Sequence, residues 1–170
     1  SGCGKTTILR LISGLNEPRK GKIFNNFKKT TYFFQENRLL TWKNALENVL
    51  LVMDKPDVNA VLELFKKVGL SQKDTLKYPS ELSGGMKKRA ALARALVLSP
   101  RVLFLDEPNS GLDPVSSRQM DALIKELRDS IGVTVVMVTH DADSIFDILD
   151  RFLIIDNKKI AFEGDIKELE

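Results

Sequence analysis

Residues 100–108 read Pro-Arg-Val-Leu-Phe-Leu-Asp-Glu-Pro. Val102 to Leu105 is wholly apolar, with Pro100 upstream and two carboxylates and Pro108 downstream. A short apolar run between breakers fits a strand buried on both faces, as parallel sheets require. Val133 to Val138 is a second strand of this kind. Between the two, Asp113-Pro114 supplies an N-cap and a Pro at the first helical position. Met120, Leu123, Ile124 and Leu127 form one helical stripe, and Gly132 stands where a C-cap belongs. Strand, helix, strand in that order predicts an α/β domain with a mostly parallel sheet flanked by helices. In such sheets ligands collect at the carboxyl ends of the strands.

Toward the N-terminus, Ile8, Leu11, Ile12 and Leu15 predict a helix over residues 5–15, with Gly14 near its end and Pro18 beyond. Lys22 to Phe24 and Thr30 to Gln35 read as extended segments. Residues 36–100 carry three helical patterns and no clear strand, which predicts a helical insertion. The patterns are Leu46, Val49, Leu50 and Met53; Val61, Leu64, Phe65 and Val68; and the Ala- and Leu-rich stretch 85–98. Residues 70–82 read as connecting structure. Near the other end, 152–155 and 160–163 predict a hairpin turned by residues 156–159.

The 170 residues, 43% hydrophobic and 29% charged, suit one globular domain and exclude a disordered chain. No apolar run approaches the roughly 20 residues of a membrane-spanning helix. The first residues lack the apolar core of a signal peptide, so no cleaved leader is expected there. A net charge of +3 is too small to argue for nucleic acid. The single cysteine, Cys3, forms no internal disulfide and fits a reducing compartment. The chain opens inside a glycine-rich motif without an initiator Met, and sequence upstream of Ser1 is therefore expected.

Ser1-Gly2-Cys3-Gly4-Lys5-Thr6-Thr7 matches the second half of the phosphate loop G-x-x-x-x-G-K-[ST]. The backbone N–H groups of such a turn and the following helix N-terminus bind phosphate oxygens; Lys5 reaches the outer phosphates and Thr6 offers a hydroxyl to Mg²⁺. The bland alternative is a loop and helix start with no ligand. Asp106 and Glu107 end a buried strand, where one carboxylate can hold Mg²⁺ and the other can polarise a water; a solvated acidic loop is the alternative. Leu82-Ser83-Gly84-Gly85-Met86 is either a second phosphate-binding helix end or a simple capped start.

These motifs, with Gln35, Arg89, residues 91–96, Ser110-Gly111-Leu112-Asp113 and Thr139-His140-Asp141, stand in an order that resembles the nucleotide-binding domain of ABC transporters. The resemblance runs over nearly all of 1–170. It implies a P-loop NTPase-type fold with a helical subdomain over about 36–100, and an ATPase of an importer at the cytoplasmic face of a membrane. It also implies two copies packed head to tail around two MgATP, with permease subunits and, where one exists, a solute-binding protein as partners. No nucleic-acid partner is expected. By the same resemblance Ser1 to Thr7 bind ATP, and Thr6, Gln35 and Asp106 serve the metal. Glu107 is the base, His140 and Gln35 assist it, Ser83, Gly84 and Gly85 meet ATP on the opposite subunit, and Asp113 links the two sites.

Glu36 to Trp42 is similar to importers of the nitrate, sulfonate and taurine type, including those for thiamine-precursor-like molecules; a packed Trp42 is the alternative. Two departures from the family pattern are the strand before the phosphate loop with its adenine-stacking aromatic, expected upstream of Ser1, and a short segment from Gly21 to Gln35. A soluble ABC-type ATPase of DNA repair or translation is a rival reading. An inactive truncated fragment is another.

Overall fold

A computed structural model describes residues 4–156 and 158–166. Its centre is the apolar run that opened the sequence reading. Strand β2 (Val102–Asp106) is buried at every position and lies between β1 (Thr30–Phe33) and β3 (Thr134–Val138). Both pairings are parallel, with Tyr32 opposite Phe104 and Asp106 opposite Val138. Pleating alternates the side chains of β2 between two faces. Val102 and Phe104 pack with Leu9 of helix α1 (Lys5–Ile12). Leu103 and Leu105 join the larger core on the other side.

That larger core is built by α2 (Ala45–Leu50), α3 (Val58–Lys67), two short 3-10 turns at Gln72–Leu76 and Pro79–Glu81, and α4 (Gly84–Leu96). The Ala-rich sequence of α4 lets it sit close to its neighbours, with Ala90, Ala91, Leu92 and Ala93 all buried. Helix α5 (Pro114–Ile131) follows β2 with the stripe and caps read from the sequence. Asp113 accepts from the N–H groups of Val115 and Ser116 at 3.0 Å each, and Gly132 takes the left-handed cap at φ 71°. Helix α6 (Ala142–Ile148) and the antiparallel hairpin β4 (Arg151–Asp156) and β5 (Lys159–Asp165) complete the described chain.

The structure corrects several expectations. Lys22 to Phe24 forms no strand; Phe24 is 88% exposed, and no strand among the described residues pairs with this segment. Extended backbone without a ladder partner gains no strand hydrogen bonds. Helix α1 stops at Ile12, where the N–H groups of Leu15 and Asn16 turn back to the Arg10 carbonyl and Gly14 takes φ 78°. Within 70–82 the connecting structure contains the two 3-10 turns. Helix α6 has no counterpart in the sequence reading. Part of the hairpin turn, Asn157, lies outside the described residues.

Candidate active site

The carboxyl ends of β1, β2 and β3 bring three segments together. Asp106 shares the face of Val102 and Phe104, and so points toward α1. Its Oδ1 accepts from the Thr6 hydroxyl at 2.8 Å, and its Oδ2 accepts from the Tyr32 hydroxyl at 2.8 Å. Asp106 is fully buried. Burial, with the neighbouring Asp106 adding to it, pushes the Tyr32 phenol up to about 12, so Tyr32 stays a neutral donor.

Glu107 follows directly, with a left-handed backbone at φ 47°. That conformation costs a non-glycine residue of order 1–3 kcal/mol and collects at functional sites. Its N–H donates to the Val138 carbonyl at 2.9 Å, which ties the turn to β3. Its Oε1 lies 3.3 Å from Nδ1 of His140, and its Oε2 accepts from the Gln35 amide at 3.3 Å. The same amide donates to the Ser110 hydroxyl at 3.3 Å. Glu107 is mostly covered and His140 is exposed. One carboxylate thus lies between Gln35, beyond β1, and His140, beyond β3.

Gly4 sits at the start of α1 with φ 99°, and nothing lies within 4 Å of where a Cβ would be. This leaves the backbone open to an approaching anion at a helix N-terminus. The rest of the predicted phosphate loop, Ser1, Gly2 and Cys3, lies outside the described residues.

The sequence profile of the ABC transporter family matches residues 1–110. The chain belongs to the ABC transporter family. It is 44% identical over 167 residues to the aliphatic sulfonates import ATP-binding protein SsuB 1 of Shouchella clausii, covering 98% of this chain and 67% of that protein. It is 40% identical over 170 residues to SsuB 3 of Pseudomonas savastanoi pv. phaseolicola, covering 96% of this chain and 63% of that protein. The chain therefore spans about two thirds of the length of these relatives. Its fold is similar to that of the ATP-binding cassette MJ0796, solved as a dimer bound to ADP and Pi, with a TM-score of 0.84 at 27% identity. That likeness covers 97% of this chain and 82% of the other.

In this ABC-family chain the remaining sequence-predicted residues lie on the neighbouring turns. Ser83 caps α4, its Oγ accepting from the Met86 N–H at 3.2 Å, and is exposed. Gly84 abuts Leu112, and Gly85 abuts Ser116, each 3.9 Å from the position of an added Cβ. The Ser83 turn thus packs against the start of α5, where Asp113 acts as the N-cap. Three hydrogen bonds, including a 2.5 Å contact from the Ser116 hydroxyl, hold the Asp113 carboxyl below its usual range. Trp42 is 71% exposed, so the packed alternative does not hold.

Sequence reasoning missed four contributors. Tyr32 was read only as part of a strand, yet it orients Asp106. Lys88 falls inside the Ala- and Leu-rich stretch 85–98 with no role marked for it, yet it is buried and donates to the Gln35 carbonyl at 2.6 Å. Its burial lowers its pKa to about 8, against the pull of Glu107 and Asp106. Asn109 and Asp121 form a buried network with Ser144 behind the Glu107 turn. A lysine in line with Ala91, Leu92 and Ala95 on one helix face was the available signal for Lys88.

Proposed function

We propose that this chain is the nucleotide-binding part of an ABC importer subunit that binds and hydrolyses MgATP. The observation that supports this most is Glu107, held between His140 and Gln35 at the strand ends, beside the Thr6–Asp106 pair. Thr6 and Asp106 offer the hard oxygen donors that Mg²⁺ takes, and the open backbone at Gly4 fits a phosphate cradle. When bound, Mg²⁺ supplies charge neutralisation at the phosphates. In this reading Ser1 to Thr7 hold the triphosphate of the substrate, with Lys5 on its outer phosphates. Thr6, Asp106 and Gln35 hold the metal. Glu107 takes a proton from the attacking water, while His140 and Gln35 orient it.

Catalysis by such a centre is positioning and charge stabilisation, with little covalent work for the protein. Ser83, Gly84 and Gly85, at an exposed helix start, fit the ATP of a second copy packed head to tail, and Asp113 joins the two sites. The dimeric state reported for MJ0796 supports that arrangement. The partners are a second nucleotide-binding subunit and a permease at the cytoplasmic membrane face. No helix among the described residues is long and apolar enough to cross a membrane. The names of the relatives support an aliphatic sulfonate or a similar small anion as the solute.

The test is Glu107→Gln in the full-length protein. Turnover is expected to fall by at least about 10²-fold, the range for losing a general base. An ATP-bound dimer is expected to persist on size exclusion. Unchanged turnover removes Glu107 from the mechanism. Uptake of a labelled alkanesulfonate by cells carrying the permease and the wild-type subunit, but not Glu107→Gln, tests the solute.

A further inference from the structure

The segment that carries Gln35 leaves β1 at Phe33 and is then held almost entirely by the helical layer. Lys88 Nζ on α4 donates to the Gln35 carbonyl at 2.6 Å and lies 5.3 Å from the Phe33 ring. Arg94, also on α4, donates through its two terminal nitrogens to the Asn37 and Arg38 carbonyls, each at 2.7 Å. Asn48 on α2, 1% exposed, accepts from the Leu40 N–H at 2.7 Å and donates to the Leu40 carbonyl at 3.1 Å. Three side chains from two helices therefore fix the carbonyls of residues 35, 37, 38 and 40. Arg38 is turned into the left-handed region at φ 47°, and its guanidinium sits 4.0 Å over the Phe34 ring.

Burying a lysine is costly unless a partner compensates, and hydrogen bonds to a charged donor are about twice as strong as neutral ones. A buried ammonium on the Gln35 carbonyl is thus a strong and localised tether. It sits one turn along α4 from Gly84 and Gly85. The side chain of the same residue, Gln35, reaches Glu107 and Ser110.

We infer that Lys88, with Arg94 and Asn48, is a positioning device that places the Gln35 amide against Glu107 by tying its backbone to α4 and α2. The inference rests on the reading of Gln35 as part of the hydrolytic centre. Lys88 acts through Gln35 and touches neither substrate nor the reacting atoms. Removing the tether frees the segment while the sheet and the Thr6–Asp106 pair keep their own contacts.

The experiment uses the full-length protein with its permease and compares wild type with Lys88→Met, Lys88→Gln and Gln35→Ala. Methionine keeps the length and packing of the lysine stem without the donor; glutamine restores an N–H. Amide hydrogen exchange over residues 36–42 is read beside the steady-state kinetics. In Lys88→Met the exchange of that segment is expected to rise at least tenfold, with α5 unchanged. The kcat is expected to fall toward that of Gln35→Ala, with KM for ATP within threefold, and Lys88→Gln is expected to recover part of both. Unchanged exchange in Lys88→Met overturns the tether. Faster exchange with unchanged kcat, while Gln35→Ala is impaired, overturns the positioning role. A Gln35→Ala protein with wild-type kcat overturns the hydrolytic reading of Gln35 instead, and with it the functional consequence drawn here. If Lys88→Met does not fold, Arg94→Gln reads the same exchange window with the same expectations.

Discussion

Replacing Asp121 tests how the turn that carries Glu107 is held from behind. Asp121 of α5 is 3% exposed and accepts from Asn109 Nδ2 at 2.7 Å and from the Ser144 hydroxyl at 2.8 Å. Asn109 also reaches Ser144 at 2.9 Å. The three residues join the turn after β2, helix α5 and helix α6. Asn109 stands two residues after Glu107, and Ser144 four residues after His140. A hydrogen bond to a charged group contributes about 1.5–3 kcal/mol. Asp121→Ala deletes two, a gross loss of about 3–6 kcal/mol by that measure. Relief of the buried carboxylate offsets part of it, and burial indeed holds the Asp121 pKa above its usual value against the pull of both hydrogen bonds, with Asp141 and Asp147 adding to the upward push.

The net expectation for Asp121→Ala is a loss of about 2–3 kcal/mol with a fall in kcat. Asp121→Asn keeps an acceptor for Asn109 and offers Ser144 a donor, so its cost at neutral pH is expected within about 1 kcal/mol. The pH dependence has a definite sign. A carboxyl whose folded-state pKa is raised contributes stability that is present below its unfolded value of 3.8 and is lost as pH rises through the folded value. Relative to wild type, Asp121→Asn therefore gains stability as pH rises through that window and levels off above it. Urea unfolding of the full-length protein at a series of pH values measures this. An alanine variant within 0.5 kcal/mol of wild type, about the noise level of a surface substitution, refutes the network argument. An asparagine variant that loses relative stability with rising pH refutes the assignment of burial as the dominant cause.

Two further outcomes are expected. Saturating MgATP at a hundred times its dissociation constant stabilises the full-length protein by about 2.7 kcal/mol in a thermal melt; Lys5→Ala is expected to lose that shift, and an undiminished shift removes Lys5 from the phosphate site. Tyr32→Phe deletes one O–H donor to a fully buried carboxylate and is expected to cost about 1.5–3 kcal/mol in denaturant unfolding; a cost below 0.5 kcal/mol, within the range of a neutral surface change, shows that Asp106 does not depend on it.

The parts of the fold that were legible are those whose signal is local. Strand β2 is buried on both faces, so its residues form an unbroken apolar run. Helix α5 carries its N-cap, its stripe and its C-cap in sequence. Asp106, Glu107 and His140 were legible in position because each stands within two residues of the end of an apolar run, Leu105 for the first two and Val138 for the third. What escaped depends on contacts between distant segments. Tyr32 becomes an Asp106 partner only through the parallel register that sets it opposite Phe104. Helix α6 spans seven residues, and Ile145, Ile148 and Leu149 make a single turn of apolar spacing, too short to stand out. Lys22 to Phe24 carried strand-favouring Ile23 and Phe24 without a ladder, and residue type alone does not supply the neighbour a strand needs.

The pairing of Asp106 with Glu107 shows why two adjacent carboxylates serve different partners. Pleating sends neighbouring side chains of a strand to opposite faces. Asp106 shares its face with Phe104 and meets Thr6 from α1 and Tyr32 from β1, contacts made within the sheet and the helix that covers it. Glu107 leaves the strand through a left-handed residue and meets His140 beyond β3 and Gln35 beyond β1. Gln35 in turn is held from α4 by Lys88. One carboxylate is therefore set by the sheet and α1, and the other by the segment beyond β3 together with an arm tied to the helical layer. The two supports diverge where the strand ends: Asp106 is the last residue of β2, and the left-handed backbone of Glu107 carries its carboxylate toward His140 and Gln35.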